Sequence, residues 1–265
     1  MKAKAISIHS YRGGTGKTVI ATNLAAILAS RGLNVALLDV DFRAPSLATI
    51  FSKAIGDNPV RCWLNGFLNG SCDPEQVLIN ISEKFNLKGK LLIGLANPSI
   101  EAVRNIMGKS RSWEVTAVKK LFSLLSSLFE DMTVDCCIFD TSPGVQYSSI
   151  NAVVSSDVSV ILTTLDSLDL EGTGNMLSDL YDALGKKTVV LVNKFFPESR
   201  EQSVEIREDI VRKVETMLKH TVIGVIPCYC DVLQTQRSSL LAVEKPNHPF
   251  VKDLEEVAAK LEQDL

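Results

Sequence analysis

The residues best suited to chemistry stand close together near the start of the sequence, in Gly13-Gly14-Thr15-Gly16-Lys17-Thr18. Three glycines within four positions let the backbone turn its N–H groups inward as a nest for phosphate oxygens. Lys17, at the start of the next helical run, would reach the β- and γ-phosphates of a nucleotide, and the Thr18 hydroxyl would sit on Mg²⁺. The helix start adds unpaired amides and the positive end of its dipole. The expected ligands are ATP and Mg²⁺, with Gly13, Gly14, Thr15, Gly16, Lys17, Thr18 and Val19 around the nucleotide.

The loop needs a strand before it and a helix after it. Residues 5–10 are β-prone, and residues 19–29 are an alanine- and leucine-rich helical run closed by Arg31-Gly32. Further apolar runs at 34–39, 91–95, 134–140, 158–164, 188–194 and 222–227 predict strands buried on both faces, with helices between them. In such a parallel sheet, ligands sit beyond the carboxyl ends of the strands. Asp39 and Asp41 end one run and Asp140 ends another, so all three are expected near the phosphate loop. Asp140, after Cys136-Cys137-Ile138-Phe139, has the Walker B arrangement and would bind Mg²⁺. The competing assignment for Asp39 and Asp41 is a pair of solvated turn residues.

The general phosphate-loop pattern puts its first glycine at position 11, where this sequence has Tyr11. The loop instead resembles the deviant Walker A of the MinD/ParA family, Lys-Gly-Gly-x-Gly-Lys-Thr. It matches at Gly13, Gly14, Gly16, Lys17 and Thr18, with Arg12 in place of the signature lysine. The resemblance implies a single-domain P-loop NTPase over residues 1–265, α/β, with a mostly parallel sheet and helices on both faces. It implies an ATP-dependent homodimer in which Arg12 reaches across to the partner's phosphates as a bidentate clamp. Catalytic roles fall to Lys17, Asp41, which would orient the attacking water, and Arg12. Asp39 would support Mg²⁺ and its waters from behind Thr18 and Asp140. Asn193 would bond the adenine edge, with a turn-forming asparagine as the other possibility. Pro227 and Asp231 would bound a loop that packs on the base, two residues longer than the family spacing. Pro143-Gly144 would swing the loop after Asp140 towards the γ-phosphate.

The function so implied is a slowly hydrolysing ATPase switch of the chromosome-partitioning or cell-division-positioning type, with a protein activator or DNA as further partner. A kinase or ATP-dependent ligase on the same fold competes. Asp39, Asp41 and Arg43 also fit the Asp-x-Asp-x-Arg of bacterial tyrosine autokinases. Those kinases carry a tyrosine-rich tail, whereas the four tyrosines here are Tyr11, Tyr147, Tyr181 and Tyr229.

With 265 residues, 46% hydrophobic and 22% charged, the chain suits one large α/β core. A net charge of -3 gives no basic signature for nonspecific nucleic-acid binding. Met1-Lys2-Ala3-Lys4 runs directly into the first strand with no room for a secretory signal, so a cytoplasmic protein is expected. In that setting the six cysteines are expected as thiols. Cys136 and Cys137 read as core residues, and Cys228-Tyr229-Cys230 lacks a second close pair for zinc or an iron–sulfur cluster. Residues 199–220 read as a helix of mixed surface charge. Trp113, Ala117, Val118, Leu121, Phe122, Leu125, Leu128, Phe129 and Met132 recur at helical spacing as a core stripe. The stretch 51–132 resembles the family least and is where partner specificity would reside. In the terminal amphipathic run, Asp253, Glu255, Glu256, Glu262 and Asp264 outnumber Lys252 and Lys260. This favours docking on the core over direct binding to an anionic membrane.

Overall fold

The apolar runs become strands because alternate side chains serve two separate cores. In the computed structural model, residues 3–56, 60–196, 203–234 and 240–263 are described. The strands are β1 (Lys4–His9), β2 (Val35–Val40), β3 (Leu78–Asn80), β4 (Leu91–Gly94), β5 (Cys136–Thr141), β6 (Val158–Thr163), β7 (Lys187–Phe195) and β8 (Val222–Pro227). They form one sheet in the order β3-β4-β2-β5-β1-β6-β7-β8. All neighbours are parallel except the β3–β4 pair. The mostly parallel sheet is as the sequence predicts. β3 was not legible, being three residues long and partly exposed.

The longer helices are α1 (Lys17–Ser30), α2 (Ile100–Met107), α3 (Arg111–Ser126), α4 (Tyr147–Ser155), α5 (Ser167–Met176), α6 (Ser203–Leu218) and α7 (Pro249–Gln263). Ile6, Ile8, Leu37, Cys136 and Ile138 face one layer, packed with α1 and α7. Their neighbours Ala5, Ala36, Leu38, Cys137 and Phe139 face the other, where α3 lies. The far half of that second layer is closed by α5 and α6 over Ile161, Val190 and Val192. The terminal run docks as expected: Phe250, Val251, Leu254, Val257, Ala258 and Leu261 of α7 are all buried.

Several expectations are corrected in detail. Phe122 of the supposed core stripe is 48% exposed, while Ala117, Leu121, Leu124 and Leu125 form the buried face of α3. The helix then widens into a π-turn over Ser127–Asp131, which shifts the stripe's phase. Of the 199–220 helix, residues 199–202 lie outside the described residues, as does Asp264 of the tail.

The expectation of thiols throughout fails at Cys62 and Cys72, which are joined by a disulfide with Cα atoms 6.4 Å apart. Gly70, at φ 83°, turns the chain back after the short helix Leu64–Leu68, and this return brings the two cysteines together. Cys136 and Cys137 are free and buried, and burial pushes the Cys136 thiol up to about 12. Cys228 and Cys230 are also free. Closing a loop of this size restricts the unfolded chain by about 3 kcal/mol. A Cys62→Ser variant should lose about that much stability in urea unfolding, and reductant should bring the wild-type midpoint down to that of the variant.

Candidate functional site

Residues 10–16 join β1 to α1 at the carboxyl edge of the sheet. Gly14 and Gly16 have φ of 82° and 103°, where a side chain is strained. A Cβ at Gly16 would also lie 2.5 Å from Asn193 Nδ2. No side chain caps the first turn of α1 at Gly16, which leaves its amides to the loop's ligand. Lys17 is 7% exposed and its Nζ donates to Ser10 Oγ at 2.8 Å. Ser10 Oγ in turn donates to Arg12 O at 2.6 Å, so the loop is held from within. Tyr11, where a glycine was the general expectation, lays its ring against Gly172 of α5, and a Cβ there would fall 2.0 Å from the ring.

The acidic residues converge as the sequence predicts. Asp39 and Asp140 are direct partners across the β2–β5 ladder, and both are fully buried. Burial, and then the Asp140 charge, hold the Asp39 carboxyl well above the usual range, opposed by amides of Leu47 and Ser46. The amides of Asp41, Ser46 and Leu47 each donate to Asp39 at 3.1 Å, so this carboxylate folds the loop after β2 around itself. Asp41 Oδ1 accepts from the amides of Arg43 and Ala44 and, at 2.6 Å, from Ser142 Oγ. That last bond ties Asp41 to the loop after β5. Two buried carboxylates in register beside a phosphate loop suit a divalent cation. Among the described residues no group of three or more His, Cys, Asp or Glu could hold a metal ion. This donor set fits Mg²⁺, which keeps several waters and takes few protein ligands plus phosphate oxygens; Thr18 and Asp140 are the residues that could hold it.

A cavity of about 140 Å³ adjoins the loop and is lined by Gly16, Val19, Asn193, Lys194, Pro227 and Tyr229, among others. It brings Val19, Asn193 and Pro227 together. Asn193 Nδ2 donates to Thr15 O at 2.7 Å, and Lys194 Nζ to Gly14 O at 2.6 Å. The Tyr229 hydroxyl donates to Asp253 at 2.7 Å, and Arg207 holds the same carboxylate at 2.7 Å, so the loop after β8 is anchored to α6 and α7. Asp231 does not line the cavity; its carboxylate meets His248 Nε2 at 2.8 Å, which holds it below the usual carboxylate range. Arg12 does not line the cavity and lies 2.9 Å from Asp166, both about half exposed.

The sequence reading passed over His9, Ser142, Lys194 and Tyr229. Asn193-Lys194 at a strand's carboxyl end was a usable signal for Lys194, while His9 looked like any residue of an apolar strand. His9 is fully buried, and burial lowers its pKa to about 4, so it is neutral near pH 7. Its Nε2 meets the Gly144 carbonyl at 2.9 Å, an acceptor, so Nε2 carries the proton and Nδ1 accepts from the Tyr181 hydroxyl. Gly144 N donates to Ser10 O at 2.9 Å, so the phosphate loop, His9 and the loop after β5 form one unit.

The profile of the CobQ/CobB/MinD/ParA nucleotide binding domain matches residues 6–238. An uncharacterized ATP-binding protein of Methanocaldococcus jannaschii is 28% identical over 263 residues, covering 98% of this chain and 88% of that protein. The chloroplastic septum site-determining protein minD homolog of Arabidopsis thaliana is 25% identical, covering 92% and 70%. The solved septum site-determining protein MinD complexed with Mg-ADP from Pyrococcus horikoshii superposes with a TM-score of 0.75 at 19% identity. That likeness covers 98% of this chain and 96% of the other, and shows a shared fold.

A histidine whose folded pKa lies below its unfolded value stabilises the fold fully above about pH 6.5 and loses that contribution as pH falls towards 4. Urea unfolding of the wild type should therefore weaken by about 3 kcal/mol across that window, more steeply than in a His9→Gln variant.

Proposed function

The chain belongs to the CobQ/CobB/MinD/ParA nucleotide binding domain family, and on that premise we propose that it is a Mg²⁺-dependent ATPase working as a positioning switch that dimerises with ATP bound. The observation that carries this reading is the 2.6 Å bond between Ser142 and Asp41. It links the loop that would sense the γ-phosphate to the carboxylate that would place water. Lys17 and the loop amides would neutralise phosphate charge as the bond to the leaving oxygen breaks. Thr18 and Asp140 would hold Mg²⁺, which when bound offsets charge on the β- and γ-oxygens. Asp41 would orient the attacking water, and Asn193 and Pro227 would hold the base.

Dimerisation is supported by exposed apolar side chains on the same edge of the sheet. Tyr11, Val145, Tyr147 and Leu168 are 41%, 63%, 61% and 65% exposed around the Arg12–Asp166 pair. An ion pair that exposed contributes less than about 1 kcal/mol, so Arg12 can leave Asp166 for the phosphates of a second copy at little cost. No helix among the described residues is long and apolar enough to cross a membrane. The apolar face of α7 is already buried, which favours a protein or DNA partner over a lipid surface.

Lys17→Ala should weaken ATP binding about tenfold or more, while Asp41→Ala should keep ATP affinity and lose about 100-fold in turnover. Arg12→Ala should bind ATP as a monomer yet fail to dimerise. The deciding measurement is the solution molar mass of Asp41→Ala without nucleotide, with ADP and with ATP–Mg²⁺. A doubling with ATP alone is expected; a mass indifferent to nucleotide would replace the switch with an acceptor-dependent kinase or ligase.

A further inference from the structure

A cleft of about 360 Å³ opens beyond the carboxyl end of β4, between the helix Leu64–Leu68 and the start of α2. None of the nucleotide-site residues lines it. Its walls include Trp63, Asn65, Asn69, Asn97, Ser99 and Glu101.

Four asparagines line the cleft, Asn105 among them, and the other three, Asn65, Asn69 and Asn97, share one orientation. Asn65 Oδ1 accepts from the Asn97 amide at 3.1 Å, Asn97 Oδ1 from the Ser99 amide at 2.9 Å, and Asn69 Oδ1 from Trp113 Nε1 at 2.9 Å. Backbone and indole N–H groups only donate, so each oxygen is fixed in place and each carboxamide –NH₂ is the end left over. Among the described residues, none of these three –NH₂ groups is hydrogen-bonded to a protein acceptor. Asn65 is only 6% exposed, so its donor is presented on a nearly buried side chain. These donors are open to solvent in the cleft, where an acceptor on a ligand would take the place of water.

The cleft therefore offers donors together with one carboxylate, Glu101, and one flat apolar ring, Trp63. Among the described residues no basic side chain lines it, so a phosphate or free carboxylate would face Glu101 uncompensated. Sugar hydroxyls both donate and accept, so a glycan would also need acceptors, which here are Glu101 and the second lone pairs of the asparagine oxygens. Peptide carbonyls only accept, and a lysine or arginine can place its charge on Glu101 and its aliphatic stem on an indole.

We propose that this cleft binds an extended segment of a protein partner. Its main-chain carbonyls accept from Asn65, Asn69 and Asn97, and one basic side chain lies on Trp63 and pairs with Glu101. The site is independent of the nucleotide reading and would stand if that reading failed.

Asn69→Asp and Asn97→Asp isolate the donors, since each keeps the oxygen that accepts from Trp113 or Ser99 and exchanges –NH₂ for a second oxygen. A phage-displayed library of random dodecapeptides, panned on the full-length protein, should enrich sequences with lysine or arginine at one fixed position. Synthetic copies should lose about tenfold or more in affinity for Asn69→Asp/Asn97→Asp and for Glu101→Gln, with the variants' thermal midpoints unchanged. The proposal is overturned if no peptide is enriched, if the variants bind equally or more tightly, or if a glycan array instead gives saturable binding that Asn97→Asp abolishes.

Discussion

Two carboxylates without access to solvent, Asp39 and Asp140, lie side by side at the carboxyl edge of the sheet, and most of the site is a response to them. Like charges so close in a low-dielectric interior are costly unless cations and donors surround them. Three amides of the loop after β2 converge on Asp39, and Lys17 and Thr18 begin α1 in the strand crossover next door. A bound Mg²⁺–nucleotide would relieve the remaining repulsion, which makes the acidic pair part of the binding affinity rather than a cost to folding alone.

The elements around that pair are tied to one another. Ser10 bonds Lys17 from one side and receives the Gly144 amide on its carbonyl from the other, while His9 holds the Gly144 carbonyl. Ser142 reaches Asp41, and Asn193 and Lys194 hold carbonyls of the phosphate loop itself. A shift of the loop after β5 would thus strain both Ser10 of the phosphate loop and Asp41, the carboxylate proposed to place water. This is the physical content of a switch: one segment bonded to both.

The stretch that resembles the family least is built differently. Between Cys62 and Trp113 the chain is stabilised by a disulfide, short capped helices and asparagine side chains that bond backbone amides. Nothing in nucleotide chemistry requires that construction. It places amide donors in a cleft beyond β4, whose neighbour β2 carries Asp39 next to its last residue.

What the sequence by itself determined were the features that depend on local chemistry. Gly13, Gly14, Gly16, Lys17 and Thr18 are confined to a phosphate loop by backbone conformation and charge, and all-apolar runs ending in Asp39 and Asp140 admit little but a buried parallel sheet. Tertiary structure alone decided the features that rest on partners distant in the chain. Asp231 has the expected residue type, yet His248 draws it off the pocket, and Tyr229 enters the pocket because Asp253 and Arg207 hold its hydroxyl. His9 sits in a strand like its apolar neighbours, and only Tyr181 and Gly144 reveal why a histidine stands there. Cys62 and Cys72 are two thiols in a string until the turn at Gly70 joins them. Local sequence fixes backbone conformation and charge within a few residues, whereas these pairings depend on how helices and loops far apart in the chain pack against one sheet.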